Sequence, residues 1–372
     1  MGEWSSKFAG SIIDSHVHFM GPIADEYNVL KVRDATGVDK IGFVSIQDPM
    51  SGMGLPQSLY MKAKYPGQFY VFAGLNHAAK LSDGKVSTLS LPDQVDEFVA
   101  IGCDGIKMIE GKPTSRQRMD IPVDAPYFAD YWARVEELGL PITWHVNDPE
   151  EFWTPELLPQ WAQEKGWGYG PDDVQKEALY AEVDSVLGRH PNLNIIFAHF
   201  YFLSADLPRA SRFLDAHPTV GIDLTPGIEM LYNTSRDVDK AREFFIKYAD
   251  RIYFGTDIFS SLSVEEGIGR AGIVYRWLES DDTFRIPTTV DMLLGKPEDG
   301  IVQGMALPDD VLKKIYGGNY RRIAGDTPKT LDVDGAIALC TRVGAIAQGM
   351  SGVKAEESGP VQVARAMEKL PQ

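Results

Sequence analysis

Residues 11–19 read SIIDSHVHF: an apolar start followed by two histidines spaced two apart, His16 and His18. On a β-strand, residues i and i+2 point to the same side, so both imidazoles can project together. Alone, such a pair is as readily two satisfied buried histidines as a binding site. Its meaning depends on the rest of the chain. Seven more runs of the same character follow: Lys40–Gln47, Phe69–Asn76, Cys103–Glu110, Pro141–Val146, Asn194–Phe200, Thr219–Thr225 and Arg251–Asp257. They are rich in Ile, Val, Phe and Tyr, as strands buried on both faces should be.

Amphipathic stretches separate most of these runs, among them Tyr127–Gly139, Asp172–His190 and Asp237–Asp250. Several stop at a turn or proline just before the next strand, as in Gly139-Leu140-Pro141 and His190-Pro191-Asn192. Eight strand–helix alternations imply right-handed crossovers and a parallel sheet, which closes naturally into a (β/α)8 TIM barrel. An open doubly wound sheet is the structural alternative. The fold class is therefore α/β, a single barrel over residues 1–325. A long aromatic loop follows strand 5 (147–170) and an additional segment follows strand 8 (281–307). A C-terminal helical extension over 326–372, including Val333–Val343, is expected to pack on the barrel.

The 372 residues are 44% hydrophobic and 24% charged, ample for a large core. Net charge is −17. Such a surface repels nucleic acid and anionic lipid, so neither is expected as a partner. Cys103 and Cys340 are the two cysteines, too few for a disulfide framework or a CxxC site, and a reducing cytoplasm fits best. No apolar run suggests a signal peptide or membrane span. Gly267–Gly272 (GIGRAG) matches GxGxxG in letters, but it lies ten residues past strand 8 rather than at a strand end, and is rejected as a dinucleotide loop.

In a barrel, chemistry gathers at the C-terminal ends of the strands. His16 and His18 end the first strand, His145 the fifth, His199 the sixth and Asp257 the eighth, placing four of the seven histidines at one rim. His16, His18, His145 and Asp257 supply three imidazoles and a carboxylate, a set suited to Zn²⁺, Mn²⁺, Fe²⁺ or Ni²⁺. The ordered motifs IIDSHVHF, WHV, IIFAHF and YFGTD resemble the amidohydrolase superfamily, and more narrowly its amidohydrolase-2 (amidohydrolase-related) branch, which also holds nonoxidative decarboxylases. IYGGNY over Ile315–Tyr320 resembles the glycine–asparagine signature that closes these barrels.

The resemblance implies that His16, His18, His145 and Asp257 bind one divalent ion, with Zn expected. His199 would stand beside it as a catalytic acid/base or a substrate hydrogen-bond donor, and Asp257 would be the other catalytic group, ligating the ion and accepting the proton of its water. The implied activity is hydrolysis of an amide, lactone or related bond of a small organic substrate by a metal-activated water. The alternative is metal-dependent nonoxidative decarboxylation of a small aromatic or unsaturated carboxylic acid. Lys107, on the fourth strand, is expected to bind substrate or a barrel carboxylate such as Asp223 or Glu110. Carboxylated, it would instead bridge a second metal, the minority reading. Asp223 is a candidate for orienting a ligand. Arg116 and Arg118 are candidates for gripping an anionic substrate, though solvated loop charges explain them more simply. Trp153 and its aromatic neighbours read as a lid or as packing on the barrel top. His77 is a weaker candidate for the rim, and His190 and His217 read as structural. A homo-oligomer is expected.

Overall fold

In the computed structural model, which describes residues 5–227, 229–287, 290 and 300–371, the expected runs form one parallel sheet. Its strands are β1 (Ile12–His18), β2 (Val38–Ser45), β3 (Phe69–Gly74), β4 (Gly105–Gly111), β5 (Ile142–Val146), β6 (Ile195–Phe197), β7 (Val220–Asp223), β8 (Ile252–Tyr253) and β9 (Ile258–Phe259). The order is β8-β7-β6-β5-β4-β3-β2-β1-β9. β8 and β9 are two halves of the eighth strand, parted by residues 254–257. The first half pairs with β7 and the second with β1. Between them, Ser15 N donates to Phe254 O (3.0 Å) and Asp257 N to His16 O (3.0 Å). One interrupted segment thus joins the two ends of the sheet, which is a TIM barrel.

Two strand boundaries and one loop differ from the sequence reading. The sixth strand stops at Phe197, so His199 lies beyond it, in a turn. The eighth is split because Asp257 takes a positive φ of 54°, which interrupts the extended chain. The 147–170 loop carries short helical turns at Glu150–Trp153 and Gln160–Glu164. After β9 come helix Val264–Glu279 and an antiparallel ribbon of Thr283–Arg285 with Ile301–Gln303. Residues 288–289 and 291–299 of the 281–307 segment lie outside the described residues.

The barrel floor is filled by Ile13, Val44, Tyr70, Phe72, Ile196, Tyr253 and Tyr320. Tyr320 comes from helix Asn319–Ala324 and meets Tyr70 edge-on at 5.1 Å. Asn319 donates to Ala249 O (2.7 Å) and Ile252 O (2.8 Å), tethering the start of β8. Ile315–Tyr320 therefore closes the floor and leaves the opposite rim for chemistry. The C-terminal helices Val333–Ser351 and Gly359–Met367 contribute Leu339, Cys340, Val343, Val363 and Met367 to the main core.

Candidate metal centre

The rim brings three side chains together. His16 Nε2 lies 3.3 Å from His18 Nε2, and Asp257 Oδ1 lies 3.2 Å from His18 Nε2 and 3.7 Å from His16 Nε2. All three ligand atoms fall within 4.8 Å of one another. Around a tetrahedral ion with bonds of about 2.0–2.1 Å, neighbouring ligand atoms sit roughly 3.3 Å apart. The triad therefore has the edge lengths of a coordination shell.

The backbone arranges this locally. β1 slips register between Asp14 and Val17, and the Asp14 carboxylate accepts the His16 N–H (3.1 Å) and the Thr256 hydroxyl (2.5 Å). The bulge and the split eighth strand are thus stitched to each other beside the triad. Asp257's carbonyl accepts from Arg270 Nη1 at 3.0 Å. Arg270 is 1% exposed and belongs to the GIGRAG stretch, which is helical. The sequence does not announce that arginine, because the motif around it spells a different chemistry.

Asp223 is the hub. Its Oδ2 lies 2.7 Å from His16 Nδ1, and Oδ1 accepts from His199 N (2.8 Å) and Thr225 Oγ1 (2.5 Å). Burial opposes its charge, but His16 beside it outweighs that and holds the carboxyl at about 2. An ionised carboxylate only accepts, so His16 donates through Nδ1 and keeps its lone pair on Nε2, facing the triad. Thr225 gives its one hydroxyl proton to Asp223, so His199 Nδ1, 3.0 Å from Thr225 Oγ1, must be the donor there. His199 thereby keeps its lone pair on Nε2.

His145 stands apart from the triad. Its Nε2 lies 2.9 Å from Asn147 O and 3.2 Å from Asp148 Oδ1. A carbonyl cannot donate, so Nε2 carries the proton and Nδ1 the lone pair. Asp148 also takes Lys112 Nζ (2.5 and 2.6 Å) and the Tyr169 hydroxyl (2.5 Å). Lys112 Nζ lies 4.2 Å from the Trp167 ring. The aromatic loop after β5 is thus pinned to the residue that orients His145.

Burial pushes His16 down to about 4, helped by the charge of Lys107. Burial likewise lowers His145 and His199 to about 4. All three imidazoles are neutral at pH 7, the form a cation requires. Burial would raise Asp257, but His18, His199 and His16 hold it well below the usual carboxylate range. Burial pushes the Lys107 ammonium down to about 8 against the opposing charges of Asp223, Asp257 and Glu110. Among the described residues Lys107 Nζ has no hydrogen-bond partner, and no second three-ligand cluster forms around it.

The triad opens into a cavity of about 400 Å³ lined by Lys107, His145, His199, Phe152, Trp161 and Trp167, among others. Trp153 stays off this wall and packs on Tyr169 at 4.7 Å. Arg116 pairs with Glu182 (3.1 Å), His190 with Glu136 (2.8 Å), and His77 with Glu110 (2.7 Å). His217 packs against Phe213, with ring centroids 5.0 Å apart.

A family model described as amidohydrolase matches residues 104–323, more than half of the chain. The chain belongs to the amidohydrolase family. It is an enzyme of the amidohydrolase superfamily, whose members generally bind metal. No curated protein matches its sequence. Among solved structures, it is similar to an uncharacterised TIM-barrel protein from Bordetella bronchiseptica, with a TM-score of 0.50 and 16% identity over 84% of this chain and 98% of that one. It is also similar to an amidohydrolase II, with a TM-score of 0.50 and 13% identity over 85% of this chain and all of that one. Both likenesses show the barrel fold. Among the described residues no helix is long and apolar enough to cross a membrane.

Proposed function

We propose that this amidohydrolase is a metal-dependent hydrolase of an amide, lactone or related bond in a small organic substrate. The observation that carries the reading is the convergence of His16 Nε2, His18 Nε2 and Asp257 Oδ1, with edges of 3.2–3.7 Å, on an open cavity. Two imidazoles and a carboxylate suit Zn²⁺ first, with Mn²⁺, Fe²⁺ and Ni²⁺ admitted by the same ligand types. His145 is assigned as the fourth ligand through Nδ1, the nitrogen its hydrogen bonds leave unprotonated. When bound, the ion lowers the pKa of water from 15.7 toward about 7 and polarises the bond under attack.

The protein groups then do the following. Asp257, ionised, accepts a proton on a carboxylate oxygen and returns it to the leaving group. His199, neutral with its lone pair on Nε2, accepts a proton or hydrogen bond there, and Thr225 and Asp223 fix its ring. Lys107 Nζ donates to a substrate oxygen. The aromatic walls Phe152, Trp161 and Trp167 shield the reacting bond from bulk water.

A second reading is supported by the free ammonium of Lys107. The same centre would decarboxylate a small aromatic or unsaturated acid, with Lys107 holding the carboxylate and Asp257 or His199, first protonated from solvent, passing that proton to carbon as carbon dioxide leaves. Labelled water separates the two. A broad panel of lactones, amides and carboxylic acids is assayed with metal-loaded and chelator-treated protein in H₂¹⁸O. Label entering the organic product favours the hydrolase, and release of carbon dioxide with no label in the organic product favours the lyase. Metal content is measured in parallel. One equivalent in the wild type, lost in His16→Ala and Asp257→Ala, is expected. Retention of that equivalent in both variants would refute the assigned centre.

A further inference from the structure

A second chamber of about 160 Å³ lies over the ends of β2, β3 and β4, and shares Ile46, Lys107 and Ile109 with the main cavity. Those three side chains are the partition. At ~30 Å³ per liquid water, the chamber has room for a carboxylate on a short stem.

The polar groups lining it fall into two sets. The acidic ones are occupied: Glu110 lies 2.7 Å from His77 Nε2 through Oε1, and accepts Ile109 N at 2.8 Å on Oε2. Asp48 accepts the Ser51 hydroxyl at 2.7 Å and its N–H at 3.0 Å. Gln47 is used at both ends, donating to Gly74 O (2.9 Å) and accepting from Asn76 (3.0 Å). The remaining set is the Lys107 ammonium, the Arg118 guanidinium and the Ser115 hydroxyl. None of these three side chains has a hydrogen-bond partner among the described residues. Lys107 is 2% exposed, and a buried unpaired cation calls for an anion. Arg118 offers the planar fork that suits a carboxylate.

We propose that this side chamber is an anion subsite. It takes a carboxylate or similar oxyanion of the substrate remote from the reacting bond, gripped by the solvent-exposed Arg118 of helix Pro113–Met119 and by Lys107 at the partition. The preferred substrate then carries two functional ends, one at the triad and one acidic group here. The inference rests on the proposed function only in treating the main cavity as the reaction centre.

The test is calorimetric, on the full chain loaded with Zn²⁺. Benzoate is compared with benzene-1,3-dicarboxylate, hexanoate with adipate, and inorganic phosphate is titrated alone. Dicarboxylates are expected to bind at least tenfold tighter than their monoacid partners. Arg118→Met should erase that advantage while leaving benzoate and hexanoate binding unchanged. Lys107→Met should weaken the dicarboxylates further.

Equal binding of mono- and dicarboxylates to the wild type would overturn the subsite. So would an Arg118→Met effect of equal size on both. Phosphate binding that depends on Arg118 and leaves dicarboxylate binding undisturbed would make the chamber an independent anion site, and would also overturn the proposal. A dicarboxylate preference that survives while no metal-dependent turnover is found would leave the subsite standing and sink the reaction reading.

Discussion

Asp223 is fully buried, carries its charge at neutral pH, and serves two histidines at once. Its Oδ2 sets the tautomer of His16, and its Oδ1 holds the backbone of His199. Asp223→Asn keeps the volume but replaces one acceptor with a donor, so one of these contacts fails. A 10–100-fold loss of metal affinity is expected, read by competition with a chromophoric chelator; unchanged affinity would remove Asp223 from the role of orienting His16. Glu229 makes a different kind of prediction. Burial, and then the charge of Glu151, raise its carboxyl from 4.5 to about 8. Between those values the folded chain holds a proton that the unfolded chain releases, so stability falls as pH rises through the window. Each unit of such a difference is worth about 1.4 kcal/mol. Glu229→Gln should therefore match the wild type in urea melts at pH 4 and exceed it by at least that amount at pH 8. Parallel pH profiles for the two proteins would contradict the buried-acid assignment.

His199, Phe200, Tyr201 and Phe202 all have φ between 50° and 58°, one left-handed turn built without a glycine. Such a conformation costs ~1–2 kcal/mol per residue, and the surroundings over-determine it. The Tyr201 ring sits 4.2 Å from Phe197 and 4.6 Å from Phe213, and the Tyr180 hydroxyl donates to Tyr201 O at 3.0 Å. Tyr180→Phe should lower stability by about 1 kcal/mol and reduce kcat several-fold. Metal affinity should hold, because His199 is outside the triad; a variant with lower affinity and normal kcat would assign the turn to the metal instead. Nothing in the letters AHFYF announces this turn, since positive φ is signalled in sequence by Gly or Asn. The apolar run therefore reads as strand through to Phe200, three residues past its end at Phe197. The other strands were legible because burial on both faces writes continuous apolar runs, and His16, His18 and Asp257 were legible because they end such runs. The orientation of His145 was not, being set by Asp148 and Asn147 beyond the strand and by Lys112 on another loop. Arg270 was hidden for a similar reason: its meaning comes from a helix docked behind Asp257.

Across the molecule, charge and the C-terminal tail each have a structural consequence. In a chain of net charge −17, Lys107, Lys112, Lys165 and Arg270 line the rim beside Asp148 and Asp257, so the cavity carries more cationic than acidic side chains on an acidic body. Small anions reach it through a field set by those nearby groups rather than by the net charge. The tail bears on whether the barrel stands alone. In helix Leu55–Lys64, eight consecutive residues from Leu55 to Lys62 are buried, whereas a barrel helix ordinarily leaves one face to solvent. The tail packs there: a side chain at Gly52 would run into Val343 and Pro360, and one at Gly359 into Met53. It is also stitched along its entry. Asp332 N donates to Ile101 O at 2.9 Å, and Lys329 N to Asp104 at 2.7 Å. Gly102 has a φ of 91° and lies so close that a Cβ would stand 2.1 Å from Thr330 O. Leu339, Cys340, Val343, Val363 and Met367 are all buried. At ~1.5–3 kcal/mol for each large apolar side chain, their loss comes to roughly 10 kcal/mol, comparable with the whole stability of about 5–15 kcal/mol typical of a folded protein. We therefore treat residues 326–372 as part of one folding unit with the barrel. A chain ending at residue 325 should express as insoluble protein or melt without a cooperative transition by calorimetry. A soluble product melting within 5 °C of the full chain (about the shift that ~1–2 kcal/mol produces) would show instead that the tail is an appended layer, and that the face of helix Leu55–Lys64 which truncation uncovers tolerates water.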